Sequence, residues 1–215
     1  MKVFKVFNDQ ELAALNRLID TSKLVDGAAT AKGTAVQKKN NLQITSGNPD
    51  YAKISPFVSK ALMNPQIKAY TFMQKLLSPR VAVYREGMHY DWHVDTSIMD
   101  LHRADLSFTI FLNSADEYEG GELELKLNGA KAKMKGKPGE AIFYASGVEH
   151  RVSPVSNGER RVVVGWIRSN IKLHEHRERL YGLNLEVSDI RSKFGVEAAE
   201  PLNTLYHQFV RDYAD

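Results

Sequence analysis

The chain has 215 residues, 43% of them hydrophobic and 26% charged, a balance that excludes a disordered or membrane-embedded chain and predicts a soluble folded core with room for appended helices. A formal net charge of only +3, from 29 Lys and Arg against 26 Asp and Glu, gives no reason to expect a nucleic-acid partner. Cysteine is absent, which excludes disulfides and thiolate ligands and leaves His and carboxylates to hold iron, manganese or zinc.

Met1-Lys2-Val3-Phe4-Lys5-Val6-Phe7 is too short and too interrupted by Lys for a secretory segment, and no later apolar run approaches membrane-spanning length. The expected location is therefore cytoplasmic, without a membrane partner. Asn8-Asp9-Gln10-Glu11 offers capping residues ahead of Leu12, Leu15, Leu18 and Ile19, so a helix is predicted from about Asp9 to about Lys23. Asp26 to Asn48 lacks sustained periodicity and reads as a long loop with at most one short strand, a length uncommon without function. Pro56 to Leu77 follows a helical pattern punctuated at Asn64-Pro65.

From Pro79 the period changes to two. Short alternating runs through Val81, Val83, Leu106, Phe108, Ile110, Leu123, Leu125, Ile142, Tyr144, Val162 and Val164 are separated by Glu86-Gly87, Glu119-Gly120-Gly121, Asn128-Gly129, Pro138-Gly139, Ser146-Gly147 and Asn157-Gly158. Many short strands with regular turns predict a jelly roll or sandwich. Helical patterns return around Lys172 to Tyr181, Val187 to Phe194 and Pro201 to Tyr213. The expected fold class is α+β: an N-terminal helical support and loop at 1–78, a β core at 79–169 and a C-terminal helical extension at 170–215. The apolar positions of that extension fit packing on the core or a homo-oligomer interface equally well.

The sharpest chemical feature is Tyr90-Asp91-Trp92-His93-Val94-Asp95. Residues i and i+2 of a strand share a face, so His93 and Asp95 converge on one point. An exposed hydrogen-bonded pair is the alternative for His93 and Asp95 alone, but His150, at the start of a later strand, is a candidate third ligand, and two His with one carboxylate form the facial triad of non-haem Fe(II) oxygenases. Arg160 opens the strand Arg160-Arg161-Val162-Val163-Val164-Gly165-Trp166, where a guanidinium suits a dicarboxylate; Arg161, facing the other way, is its rival.

With these residues the chain resembles the PKHD-type hydroxylases, a bacterial and viral branch of the Fe(II)/2-oxoglutarate oxygenases related to prolyl 4-hydroxylases. The likeness is carried by Tyr84-Arg85-Glu86-Gly87-Met88, His93-Val94-Asp95, Arg103-Ala104-Asp105-Leu106-Ser107, Asp116 to Leu123, and His150 to Val155. Val25-Asp26-Gly27, Lys39-Asn40-Asn41 and Leu205-Tyr206-His207 extend it over essentially the whole chain. It implies a double-stranded β-helix, iron on His93, Asp95 and His150, and 2-oxoglutarate held through its distal carboxylate by Arg160. It further implies O2 as co-substrate, L-ascorbate as an optional accessory, and C–H hydroxylation with release of succinate and carbon dioxide.

Tyr84 and Thr109 are further candidates for the co-substrate cavity, each with a buried structural residue as the alternative. Phe111, before Leu112-Asn113, stands where many prolyl hydroxylases carry a Tyr, a departure from the pattern. Asn40, Asn41, Tyr90 and Trp92 are candidates for the substrate entrance. His89, His102, His174 and His176 read as solvated. The substrate stays open between a prolyl residue of a peptide or protein and a small metabolite linked to iron acquisition. A non-catalytic metal- and 2-oxoglutarate-binding module is the rival from another class, and open coordination positions argue against it.

Overall fold

The computed structural model describes residues 1–30, 35–127 and 129–215, with side chains for all but 35 and 36. In chain order the elements are β1 (Lys2–Lys5), α1 (Asp9–Thr21), β2 (Val25–Asp26), α2 (Ala35–Lys38), β3 (Lys39–Asn40), β4 (Leu42–Ile44), α3 (Tyr51–Leu62), α4 (Pro65–Thr71), β5 (Met73–Tyr84) and β6 (His89–His93). There follow β7 (Ile98–Met99), β8 (His102–Arg103), β9 (Leu106–Phe111), β10 (Tyr118–Gly120), β11 (Leu123–Leu127), β12 (Ala130–Met134), β13 (Glu140–Ala145), β14 (His150–Val152), β15 (Val155–Gly158), β16 (Arg160–Ser169), α5 (His174–Phe194) and α6 (Val196–Tyr213).

The larger sheet has the antiparallel order β1-β13-β9-β16-β5-β4-β2, and a second has the order β12-β11-β14-β6-β3. Together they form a jelly roll with flanking helices. The larger sheet is covered on both faces, and side-chain parity decides which face each residue serves. Val81 and Val83, Leu106, Phe108 and Ile110, Ala141 and Phe143, and Val163 and Ile167 pack on α1, α3 and α4. The alternate residues Ala82, Tyr84, Phe111, Ile142, Tyr144 and Val162 face the second sheet and meet Leu123, Leu125 and Val152 there. The functional side chains lie in this inner layer.

Helix α1 starts where its capping residues place it, with a reciprocal capping box between Asn8 and Glu11. Three expectations need correction. The stretch from Asp26 to Asn48 contains β3, β4 and α2 in addition to β2, although 31–34 lie outside the described residues. The pairing of β4 with β5 gives this segment a ladder that local periodicity does not reveal. Helix does not run to Leu77: α4 ends at Phe72, whose φ of 48° is left-handed and turns the chain into β5. Met73, Leu76 and Leu77 therefore belong to a strand. Finally, the C-terminal region holds two helices, not three, because Gly182 does not break α5, which Leu180 and Val187 anchor on either side. Of the predicted turns, Asn128 lies outside the described residues. No helix among those described is long and apolar enough to cross a membrane.

Candidate metal and co-substrate site

Neighbouring strands place the two histidines. His150 on β14 is the cross-strand partner of His93 on β6, and their ring centroids are 4.2 Å apart. Strand β6 ends at His93, so Asp95 reaches the same point from just beyond the ladder, where a different device fixes it. Ser107 Oγ donates to Asp95 Oδ2 at 2.6 Å and stands 3.0 Å from Ser146 Oγ. His93 Nε2 lies 3.8 Å from Asp95 Oδ1, and His150 Nε2 lies 3.6 Å from Asp95 Oδ2. Among the described residues this is the one group of three or more His, Asp or Glu whose ligand atoms converge, within 4.8 Å of one another.

The rings are oriented for coordination. His93 Nδ1 lies 2.7 Å from the Asp91 carbonyl, and His150 Nδ1 lies 2.9 Å from the Val148 carbonyl. A carbonyl can only accept, so each Nδ1 carries the proton and each Nε2 presents its lone pair to the shared point. Burial and the neighbouring His150 also lower His93 to about 4, which keeps it neutral and ligand-competent at physiological pH.

Parity sends the two arginines to opposite faces. Arg160 faces inward and is 1% exposed, whereas Arg161 points outward to Asp20 at 2.7 Å and Glu159 at 2.6 Å. Arg160 stacks 5.1 Å from Tyr84, its cross-strand partner, and 5.6 Å from Phe111. Its Nε and Nη1 are buried without a hydrogen-bond partner. Phe111 thus gives Arg160 an aromatic face where a hydroxyl was the pattern. Tyr84 and Thr109 line the same cavity, as do Asn41, Tyr90 and Tyr144. Burial raises both the Tyr84 and Tyr144 phenols, so each remains a donor. The Asn41 amide is buried beside the Tyr84 phenol.

Other candidates are not brought to the cavity. Asn40 is exposed, and Trp92 lies among Lys126, Lys131 and Arg151, with the nearest cation 4.5 Å from its ring. His89 contacts the Gly87 carbonyl, His102 lies beside Lys75, His174 faces Glu178, and His176 stacks on Tyr213. The sequence reading did not single out Lys39, Arg80, Ser107, Tyr144, Ser146 or Trp166, of which all but Ser146 line the cavity. Parity was the available signal for two of them: Arg80 shares a face with Tyr84, and Trp166 shares one with Arg160.

The donor set fits iron(II), because two neutral imidazoles and one carboxylate on one side leave positions open opposite. Arg160, whose Nε and Nη1 lack partners, fits the far carboxylate of 2-oxoglutarate, since buried guanidinium nitrogens left unpaired are costly until an anion arrives.

Comparison with known proteins gives the same direction. The 2OG-Fe(II) oxygenase superfamily matches residues 79–168. A PKHD-type hydroxylase of Prochlorococcus marinus strain MIT 9301 is 36% identical over 90% of this chain and 89% of its own. Another, from Hyphomonas neptunium, is 34% identical over 98% and 97%. The crystal structure of a Pseudomonas putida prolyl-4-hydroxylase superposes with a TM-score of 0.57 over 78% of this chain and 91% of that one, at 18% identity, a likeness of fold.

Proposed function

This chain belongs to the PKHD-type hydroxylases of the 2OG-Fe(II) oxygenase superfamily, and from that premise we propose that His93, Asp95 and His150 are its iron ligands and that Arg160 receives the distal carboxylate of 2-oxoglutarate. It is an enzyme, a hydroxylase dependent on Fe(II), 2-oxoglutarate and O2. Bound together, these supply oxidative decarboxylation of 2-oxoglutarate to succinate and carbon dioxide, coupled to insertion of one oxygen atom into a substrate C–H bond.

The observation that carries the residue assignment is Arg160, a fully buried guanidinium with two unpartnered nitrogens on the same inner face as the triad. Its fork pairs with a carboxylate in a bidentate manner. Tyr84, Tyr144 and Thr109 offer hydroxyls along the cavity between Arg160 and the metal point. His93 and His150 present Nε2, and Ser107 orients Asp95. Leu123 and Val152 add apolar wall, which limits water in the site. The division of labour that suits this arrangement is a catalytic core at 79–169 completed by strands of 1–78, from which Lys39 and Asn41 line the cavity, and supported by 170–215.

For the substrate, a prolyl residue of a peptide or protein fits best. The Pseudomonas putida neighbour is a prolyl-4-hydroxylase, and here Trp166 lines the cavity as an aromatic wall on which a saturated ring can pack, beside a Tyr90 whose ring stacks on His93 at 3.5 Å.

Anaerobic titration of the Fe(II)-loaded protein with 2-oxoglutarate, followed by the visible absorption of the chelate, tests the assignment. Losing the charge-assisted contacts in Arg160→Gln should cost about 3 kcal/mol, roughly a hundredfold in affinity. His93→Ala and Asp95→Ala should abolish succinate formation. Wild-type affinity in the Arg160 variant, or iron-dependent turnover in both ligand variants, would overturn it.

A further inference from the structure

The metal cavity continues into a second cleft, and Lys39, Arg80, Tyr90, Asp95 and Trp166 line both. Two of these five are cations, each laid over one of the two aromatics. The Arg80 guanidinium is 5.0 Å from the centre of the Trp166 ring, and Lys39 Nζ is 5.5 Å from that of Tyr90. Arg80 Nε donates to the Ser78 carbonyl at 3.2 Å, and Lys39 Nζ donates to the Thr30 hydroxyl at 2.7 Å. Neither cation forms an ion pair among the described residues. The carboxylates that face Arg80 are engaged elsewhere: Asp100 accepts from Ser78 Oγ at 2.7 Å, and Asp95 accepts from Ser107.

The two cations also act on each other. Burial and then the neighbouring Arg80 lower the Lys39 ammonium to about 8, and Asp95 and Asp26, neither of which pairs with it, offset this only in part. An anion placed between them would remove that penalty.

Register sets this anion apart from the distal carboxylate of 2-oxoglutarate that the proposed function gives to Arg160. Arg80 pairs with Val164, while Arg160 pairs with Tyr84. Four residues along a strand separate the two arginines, roughly 13 Å. 2-oxoglutarate held by Arg160 would extend toward His93, Asp95 and His150, whereas Arg80 and Lys39 also line the adjoining cleft. Building on the iron and 2-oxoglutarate reading above, we propose that the substrate itself carries a carboxylate, which Arg80 and Lys39 hold beside Tyr90 and Trp166 while the oxidised C–H group faces the metal. Asp95 and Asp100 moderate the local positive field, which suits a singly charged carboxylate better than a dianionic phosphate. The carboxylate can be an acidic side chain next to the oxidised residue, or a terminal α-carboxylate.

Calorimetric titration of the protein loaded with Mn(II) and 2-oxoglutarate, in which the redox step is blocked, separates these sources. The probes are acetyl-Gln-Pro-Gly-amide, acetyl-Glu-Pro-Gly-amide and acetyl-Gln-Pro with a free carboxylate. In the wild-type protein one of the two carboxylate peptides should bind at least tenfold more tightly than the neutral one, and which one does so identifies the source. In Arg80→Gln and Lys39→Gln that ratio should fall below threefold. Because the ratio is taken within each variant, a general loss of folded protein does not alter it.

Equal affinities in the wild-type protein, no detectable binding of any peptide, or a preference that persists in both variants overturns the proposal. So does a loss of 2-oxoglutarate affinity in Arg80→Gln comparable with that in Arg160→Gln, which would make Arg80 part of the co-substrate site. If 2-oxoglutarate fails to bind the Fe(II)-loaded wild-type protein, the underlying site reading falls. If it binds and the preference is missing, only the carboxylate proposal falls.

Discussion

Asp95 is the proposed ligand that no ladder holds. It follows the end of β6, so the aim of its carboxylate depends on Ser107, whose hydroxyl it accepts at 2.6 Å. Partners of this kind commonly contribute 10- to 100-fold to metal affinity. Ser107→Ala should therefore weaken Fe(II) binding by roughly 10-fold or more in a competitive metal titration, and Ser107→Thr, which keeps the hydroxyl on a side chain suited to a strand, should recover most of it. Unchanged affinity in the alanine variant would remove Ser107 from this role. The histidines make a pH prediction with a definite sign. His93 is lowered from 6.5 to about 4, chiefly by burial and then by His150. As pH falls below 6.5 the unfolded chain takes up this proton while the folded, metal-free protein does not until near 4. The stability that His93 contributes above pH 6.5 is thus lost progressively across that window. Urea midpoints of the metal-free protein should drop between pH 7 and 4.5, and His93→Asn should flatten the drop.

At the level of elements, the same parity rule explains what could be read in the chain and what could not. That His93, Asp95 and His150 converge and that Arg160 faces inward was legible because two imidazoles, a carboxylate and a guanidinium in this pattern have few other uses together. Arg80 and Lys39 were not, since a cation in a strand looks the same whether it points to solvent or into a cleft until pairing partners are known. Met73 to Leu77 was misread because an apolar run so short fits either period, and only the left-handed Phe72 decides it. The helical patterns at Lys172 to Tyr181 and Val187 to Phe194 join into one α5 across Gly182, because a helical glycine costs only about 1 kcal/mol, which the burial of Leu180 and Val187 offsets. The glycines of the acidic hairpin do carry structural meaning. Gly120 has a φ of 68°, and a Cβ there would sit 2.0 Å from the Pro154 carbonyl oxygen, a backbone atom with little room to retreat. Gly120→Ala should lower stability by more than about 1 kcal/mol. Because Pro154 closely follows β14, the same change should also weaken iron binding through His150. A urea melt and a metal titration measure the two effects, and a stability loss without any change in iron affinity would show that β14 holds its place independently of this turn.

For the molecule as a whole, the larger sheet divides the interior into two apolar layers with different duties. Ile54 of α3, fully buried, belongs to the layer between helices and sheet. Leu125 of β11, equally buried, belongs to the layer between the sheets and is the cross-strand partner of His150. Truncation of either to Ala removes similar apolar bulk, and each should cost about 2–5 kcal/mol in urea unfolding. Their effects on the site should nevertheless differ. A void behind β11 lets β14 relax and moves His150 off the point it shares with His93, whereas a void under α3 is separated from the metal by a sheet whose strands are paired on both sides. Packed interiors transmit displacement through direct contacts, so distance from the ligand strand should govern the outcome. Leu125→Ala should weaken Fe(II) affinity severalfold under conditions where the protein remains folded, and Ile54→Ala should leave that affinity within twofold of wild type. Equal losses in the two variants would mean that the sheet does not insulate the site and that the helical layer helps to set the geometry of the triad.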